Sequence, residues 1–268
     1  MPLRAGHQNT VTQKTRQRQL FTGSVKFLGP VSGIGLVMPL PLLVLQNEIT
    51  FIDDFVGSIS TPISSTAGTG ANTEAATIAP GPGGRVTLKS STALGTNADN
   101  GSMLTLDALD WRADQGGLTM ECLLSVDDVT QVAVVVGFTD AISTTVELPF
   151  FIAAGTDDAG SDAVNACGMG FDTDALTEEF FHGGVAAGVD ATPVFSGGAP
   201  ANGVDVALSV QVSDSGDVQG FVDGIAVGPP AVGAVASTVP LTPFITVSNR
   251  SASQRVITLD YIFVQASR

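Results

Sequence analysis

Carboxylates, imidazoles and thiols are the groups that could do chemistry in this chain, and their spacing is poor for catalysis. Retaining glycoside hydrolysis needs two carboxyl groups about 5–5.5 Å apart. On a strand, where alternate residues share a face, that calls for a Glu-x-Asp-x-x-Glu string. None occurs; the nearest stretch, "DTDALTEE" with Asp172, Asp174, Glu178 and Glu179, has the wrong spacing and reads as a solvated loop. The histidines are His7 and His182, so a nucleophilic site would have to use His182 in "FFHGG". No G-x-S-x-G elbow accompanies it, and it reads as a packed or surface residue at a strand edge. A phosphate loop, a dinucleotide fingerprint and an H-E-x-x-H helix are all missing from the sequence, and zinc has no ligand set. The expectation is a protein without catalytic residues and without a cofactor.

Calcium is the one ion the sequence brings forward. "GTDDAGSDA" clusters Asp157, Asp158 and Asp162 in a Gly-rich loop, and closely spaced hard oxygens suit Ca²⁺, although the EF-hand pattern is absent. Sugar stacking would draw on Trp111 and Tyr261, the only Trp and Tyr in the chain. Cys122 and Cys167 read as two small buried thiols rather than a disulfide, since no secretion signal is visible.

Charge divides the chain. Arg4, Lys14, Arg16, Arg18 and Lys26 give the first 26 residues a charge of +5, and no acid precedes Glu48. The remainder holds six basic and 26 acidic residues, a net −20. An acidic body is a poor nucleic-acid binder, because that affinity comes from neutralising phosphates. The basic block "QKTRQRQ" reads either as a solvated arm or as one that orders on an acidic partner.

Between Lys26 and Glu48 lies an uncharged apolar stretch, "FLGPVSGIGLVMPLPLLVLQN". It is long enough to cross a bilayer, but Pro30, Pro39 and Pro41 remove backbone donors that lipid cannot replace. It is expected to be an extended segment buried against protein, with Leu42, Leu43 and Leu45 as contact residues beside the five basic ones. The expected organisation is an arm over 1–47, a linking segment with first strands over 48–101, and a β domain over 102–268.

Within that last region, short strand candidates recur between turn signals, and strands do not alternate with helices. "ALSVQVS" puts Leu208, Val210 and Val212 on one face. "SDSGDV" and "VDGIA" carry hairpin turns, and "TDALTEEFF" has room for one helical turn. The fold class expected is all-β, an antiparallel sandwich.

The segment "DVQGFVDGIAVGPP" resembles the aromatic-x-Asp-Gly hairpin of concanavalin A-like (laminin G or lectin-like) jelly rolls, and "RVITLDYIFVQ" resembles their closing strand. Over residues 50–268, "FIDDF", "GLTMECLLSVDDVTQVAVVVGFTDA", "VELPF", "GMGFDTDA", "VDAT" and "LTPFITVSNRSASQRVITLDYI" together resemble a family of tailed-bacteriophage virion proteins with one such sandwich. The resemblance implies a virion structural protein on the particle exterior, made in the host cytoplasm. The expectation is a capsid decoration protein that clamps shell subunits with its arm. Its partners would be the major capsid protein or other virion subunits, together with further copies of itself. The alternative is a head or tail fibre binding host-surface carbohydrate, and a glycan hydrolase ranks third.

Overall fold

The computed structural model describes residues 48–56, 59, 63–78, 84–93, 101–106, 110–141, 148–196 and 198–267. The sandwich is a compact unit running from Glu48 to Arg268. Its strands are β1 (Glu48–Asp53), β2 (Ile63–Ala67), β3 (Glu74–Ile78), β4 (Val86–Lys89), β5 (Gly101–Leu106), β6 (Leu118–Val126), β7 (Val132–Thr139), β8 (Phe151–Ile152) and β9 (Ala159–Gly160). They continue with β10 (Ala166–Asp172), β11 (Phe181–Ala186), β12 (Val189–Asp190), β13 (Val194–Phe195), β14 (Val206–Val212), β15 (Val218–Val222), β16 (Ile225–Ala226), β17 (Thr242–Asn249) and β18 (Val256–Ser267). One 3-10 turn, Ala113–Gln115, is the helical element among the described residues, and no helix there is long and apolar enough to cross a membrane.

Two antiparallel sheets form among the described residues. Sheet I runs β16-β15-β14-β6-β18-β4-β3, and β1 also pairs with β18. Sheet II runs β12-β11-β10-β7-β17-β5-β2, and β13 also pairs with β11. The strands of 48–101 are therefore built into both sheets. The hairpin β8–β9 stands apart.

Alternation explains the packing. Leu118, Met120, Cys122, Leu124 and Val126 of β6 point inward, and Val132, Val134, Val136 and Phe138 of β7 meet them from the other sheet. Leu208, Val210 and Val212 share the inward face as their spacing predicts. On β18 a bulge between Leu259 and Tyr261 lets Leu259 and Ile262 both point inward, which turns Asp260 and Tyr261 both outward. The β15–β16 turn is Asp223-Gly224, with φ of 49° and 78°, the left-handed pair that a tight hairpin requires.

Sheet II is buried on both sides. Gly137, Gly168 and Gly183 are register partners across β7, β10 and β11 and make a trough in its outer face. Phe150 fills the trough: a Cβ on Gly183 would sit 2.9 Å from its ring. Leu148, Phe150, Ile152 and Ala163 pack there against Ala133, Val135, Phe181 and Phe244 as a second core cluster. The Phe150 and Phe181 rings lie 5.7 Å apart.

An ion cluster holds this strap in place. The Asp172 carboxylate, fully buried on β10, accepts from Arg250 Nε at 2.8 Å, from Arg250 Nη2, and from the backbone N–H of Ile152 and Asp174. Burial pushes the Asp172 carboxyl upward, while the Arg250 guanidinium pulls against that shift. This corrects the solvated-loop reading for Asp172. The helical turn that "TDALTEEFF" has room for does not form, because carboxylates capture its backbone donors. Asp172 takes the Asp174 N–H, and Asp157 takes the Thr177 N–H.

Candidate ligand-binding face

Among the described residues no strap covers the outer face of sheet I, whereas Leu148, Phe150 and Ile152 cover that of sheet II. Pairing registers fix what it displays. One row across β18, β6, β14 and β15 reads Gln265, Thr119, Gln211 and Gln219. The next reads Phe263, Glu121, Ser209 and Phe221, and Tyr261 pairs with Leu123 beyond it. Phe263, Tyr261 and Phe221 are half-buried, and Gln211 is exposed. Among the described residues, the side chains of Thr119, Gln211 and Gln265 make no hydrogen bond to protein.

A shallow groove of about 440 Å³ follows the amide row and continues to Asp217 and Pro230. At its β15 end the Gln219 amide nitrogen is committed to the carbonyls of Gly220 (2.9 Å) and Val227 (3.0 Å). No protein donor among the described residues bonds the Gln219 side-chain oxygen. Asp217 accepts from Gly233 N–H at 2.7 Å and from the Ser215 hydroxyl at 2.8 Å, and these bonds hold its pKa below the usual carboxylate value. At the centre of the face the Tyr261 hydroxyl donates to Glu121 at 2.6 Å. Burial and this bond to a carboxylate both push the phenol's pKa up.

This arrangement offers hydrogen bonds and ring faces, not a catalytic pair. The positions around Glu121 are Thr119, Leu123, Phe263, Tyr261, Gln265, Ser209, Ala207 and Gln211, and none is a carboxylate. Two carboxyls at retaining-glycosidase separation would need to be direct or diagonal neighbours on such a face.

The residues singled out from the sequence fall differently. Trp111 belongs to the core, bridged to Leu241 by two backbone bonds, so it offers no ring to a sugar. Tyr261 is on the open face, joined there by Phe221 and Phe263. His182 is buried between the sheets rather than at a surface. Its Nε2 is 3.1 Å from the Pro229 carbonyl and its Nδ1 is buried without a partner. Desolvation lowers its pKa to about 4. Cys122 and Cys167 are free and buried, in opposite sheets, and burial pushes the Cys167 thiol up to about 12.

The aspartates of "GTDDAGSDA" do not converge. Asp157 spends both oxygens on Thr177, and Asp162 accepts from the Leu148 N–H. No three His, Cys, Asp or Glu side chains among the described residues are placed to share a metal ion. Arg4, Lys14, Arg16, Arg18, Lys26, Leu42, Leu43 and Leu45 lie outside the described residues. Sequence reasoning missed the Gln265–Thr119–Gln211–Gln219 row because it is written by pairing register, not by any contiguous motif.

No protein-family model and no curated protein matches this sequence. Solved structures do match. The Emp47p carbohydrate recognition domain has a TM-score of 0.52 at 11% identity, covering 80% of this chain and 93% of its own. A Shewanella oneidensis MR-1 protein of unknown function has 0.52 at 15%, covering 88% and 97%. The Bacillus licheniformis beta-glucanase has 0.50 at 12%, covering 80% and 97%. At such identities the likeness carries the fold alone, and nothing in it points to a phage virion family. The fold is a concanavalin A-like antiparallel sandwich.

Proposed function

We propose that this sandwich is a non-catalytic glycan-binding module whose ligand lies on the outer face of sheet I. One observation carries the reading: a row of unspent neutral hydrogen-bonding side chains, Thr119, Gln211 and Gln265, beside the half-buried rings of Tyr261, Phe263 and Phe221. Sugars present hydroxyls at their edges and apolar C–H faces, and such a surface answers both. The likeness to a carbohydrate recognition domain supports this, as does the lack of a second carboxylate beside Glu121. Carried on the exterior of a phage particle, as the sequence resemblance implies, the module would attach the particle to host-surface carbohydrate. The competing reading, a shell clamp, draws its contact residues from 1–47, and the described domain adds no observation in its favour.

The test is to probe the purified chain against an oligosaccharide array and to assay the same glycans for release of reducing ends. Binding without hydrolysis is expected, and Phe221→Ala together with Phe263→Ala should weaken it. Catalytic turnover, or binding that ignores both phenylalanines, contradicts the proposal.

A further inference from the structure

Resting on that reading, we infer that the ligand is an uncharged, hydroxyl-rich glycan chain lying across the strands of sheet I, along the Gln265–Thr119–Gln211–Gln219 row. Charge decides the first half. Each Lys or Arg among the described residues is already ion-paired: Arg85 with Asp205 and Asp260, Lys89 with Glu74, Arg112 with Asp114, Arg250 with Asp172 and Asp174, and Arg255 with Asp128. A uronate, sulfate or sialate would meet Glu121 and Asp217, and no Lys or Arg among the described residues is left unpaired to receive it. It would also approach a body carrying −20 beyond residue 26, whose field disfavours anions at low salt.

Geometry decides the second half. The row crosses four strands, a length of about 14 Å at ordinary strand spacing, and the Phe263–Phe221 row runs parallel to it about 7 Å away. A chain laid along both rows sets its hydroxyls on the amides and its ring faces on the aromatics. The β15 end is acceptor-rich, because the Gln219 nitrogen is spent and Asp217 is a carboxylate. A ligand must bring O–H donors there, so a methylated or peracetylated chain is refused. Gln211, Gln265 and Thr119 each offer a donor and an acceptor, which suits a run of alternating hydroxyls.

The experiment titrates the full chain with neutral glucose hexasaccharides of different linkage in one arm and with polygalacturonate and heparin oligosaccharides in the other. It compares the wild type with Gln211→Ala/Gln265→Ala. These side chains are polar, outward and unpartnered, so the variant should keep its melting temperature while losing roughly tenfold or more in affinity. Binding in the neutral arm should hold between low and molar salt. Anionic ligands binding as tightly as neutral ones overturn the inference while leaving a glycan module standing. So does neutral binding that the double variant does not weaken. Silence in both arms removes the glycan reading and this inference with it. If the variant instead changes the oligomeric state by sedimentation, the face belongs to a second copy of the chain.

Discussion

The two outer faces of this sandwich are built on the same backbone rules and end in opposite states. Sheet II turns small residues outward (Ala133, Gly137, Ala166, Gly168 and Gly183), and its own chain fills the space they leave with Leu148, Phe150 and Ile152. Sheet I turns Thr119, Glu121, Gln211, Gln219 and Gln265 outward, and its groove stays open. A glycine-floored trough gains stability by taking up an aromatic ring from its own strap. A face of amides and hydroxyls gains nothing from such a strap unless each polar group is paired again. Among the described residues the sheet I face therefore carries no strap, and it is the face the proposed glycan would use.

That contrast can be broken most severely at sheet II. Phe150→Ala should cost about 3–5 kcal/mol, the range for emptying a buried phenylalanine site, measured by urea unfolding. Gly183→Leu should also destabilise, because the trough would be occupied from below. Next comes the clamp on the strap: Asp172→Ala leaves Arg250, whose side chain is 8% exposed, with Asp174 as its remaining ion-pair partner and takes the acceptor from the Ile152 and Asp174 N–H groups, and should cost about 3–5 kcal/mol. None of these three changes should alter ligand binding at temperatures where the variants remain folded.

A pH effect follows from the interior. The His182 pKa is held down from 6.5 to about 4, so its neutral form is the one that folding favours. The resulting stability is complete above pH 6.5 and is lost as the pH falls from there toward 4, by ~3 kcal/mol at most. The melting temperature should drop between pH 7 and 5, and His182→Gln should flatten that slope. Smallest of all for stability are changes on the open face. Gln211→Ala should stay within about 0.5 kcal/mol of wild type in the same unfolding assay, while its glycan affinity falls.

Much of the sandwich can be read from the sequence, because alternation is a local signal. The inward sets of β6 and β14, and the Asp223-Gly224 turn, stand in contiguous strings. The strap on sheet II is not legible in the same way. "TTVELPFFIA" reads as a strand candidate, yet among its described residues only Phe151–Ile152 forms a strand, because Phe150 is drawn into a trough whose glycines come from three separate strands. The partner that packs His182 is hidden for a related reason. The burial of His182 depends on Gly220 of the opposite sheet, where a Cβ would come 2.9 Å from the His182 Cβ. The candidate face is the hardest part to foresee. Gln265 and Thr119 are 146 positions apart in the sequence and become neighbours only through the β18–β6 register, which a bulge shifts.

The most direct measurement is a titration of the ¹⁵N-labelled full chain with a neutral glucose hexasaccharide, following the side-chain amide resonances of its glutamines by NMR. The account predicts saturable shifts at Gln211, Gln219 and Gln265, with the backbone of Gly183 and the strap unmoved. Shifts confined to the sheet II side, or saturable binding that leaves those three amides unmoved, would contradict it.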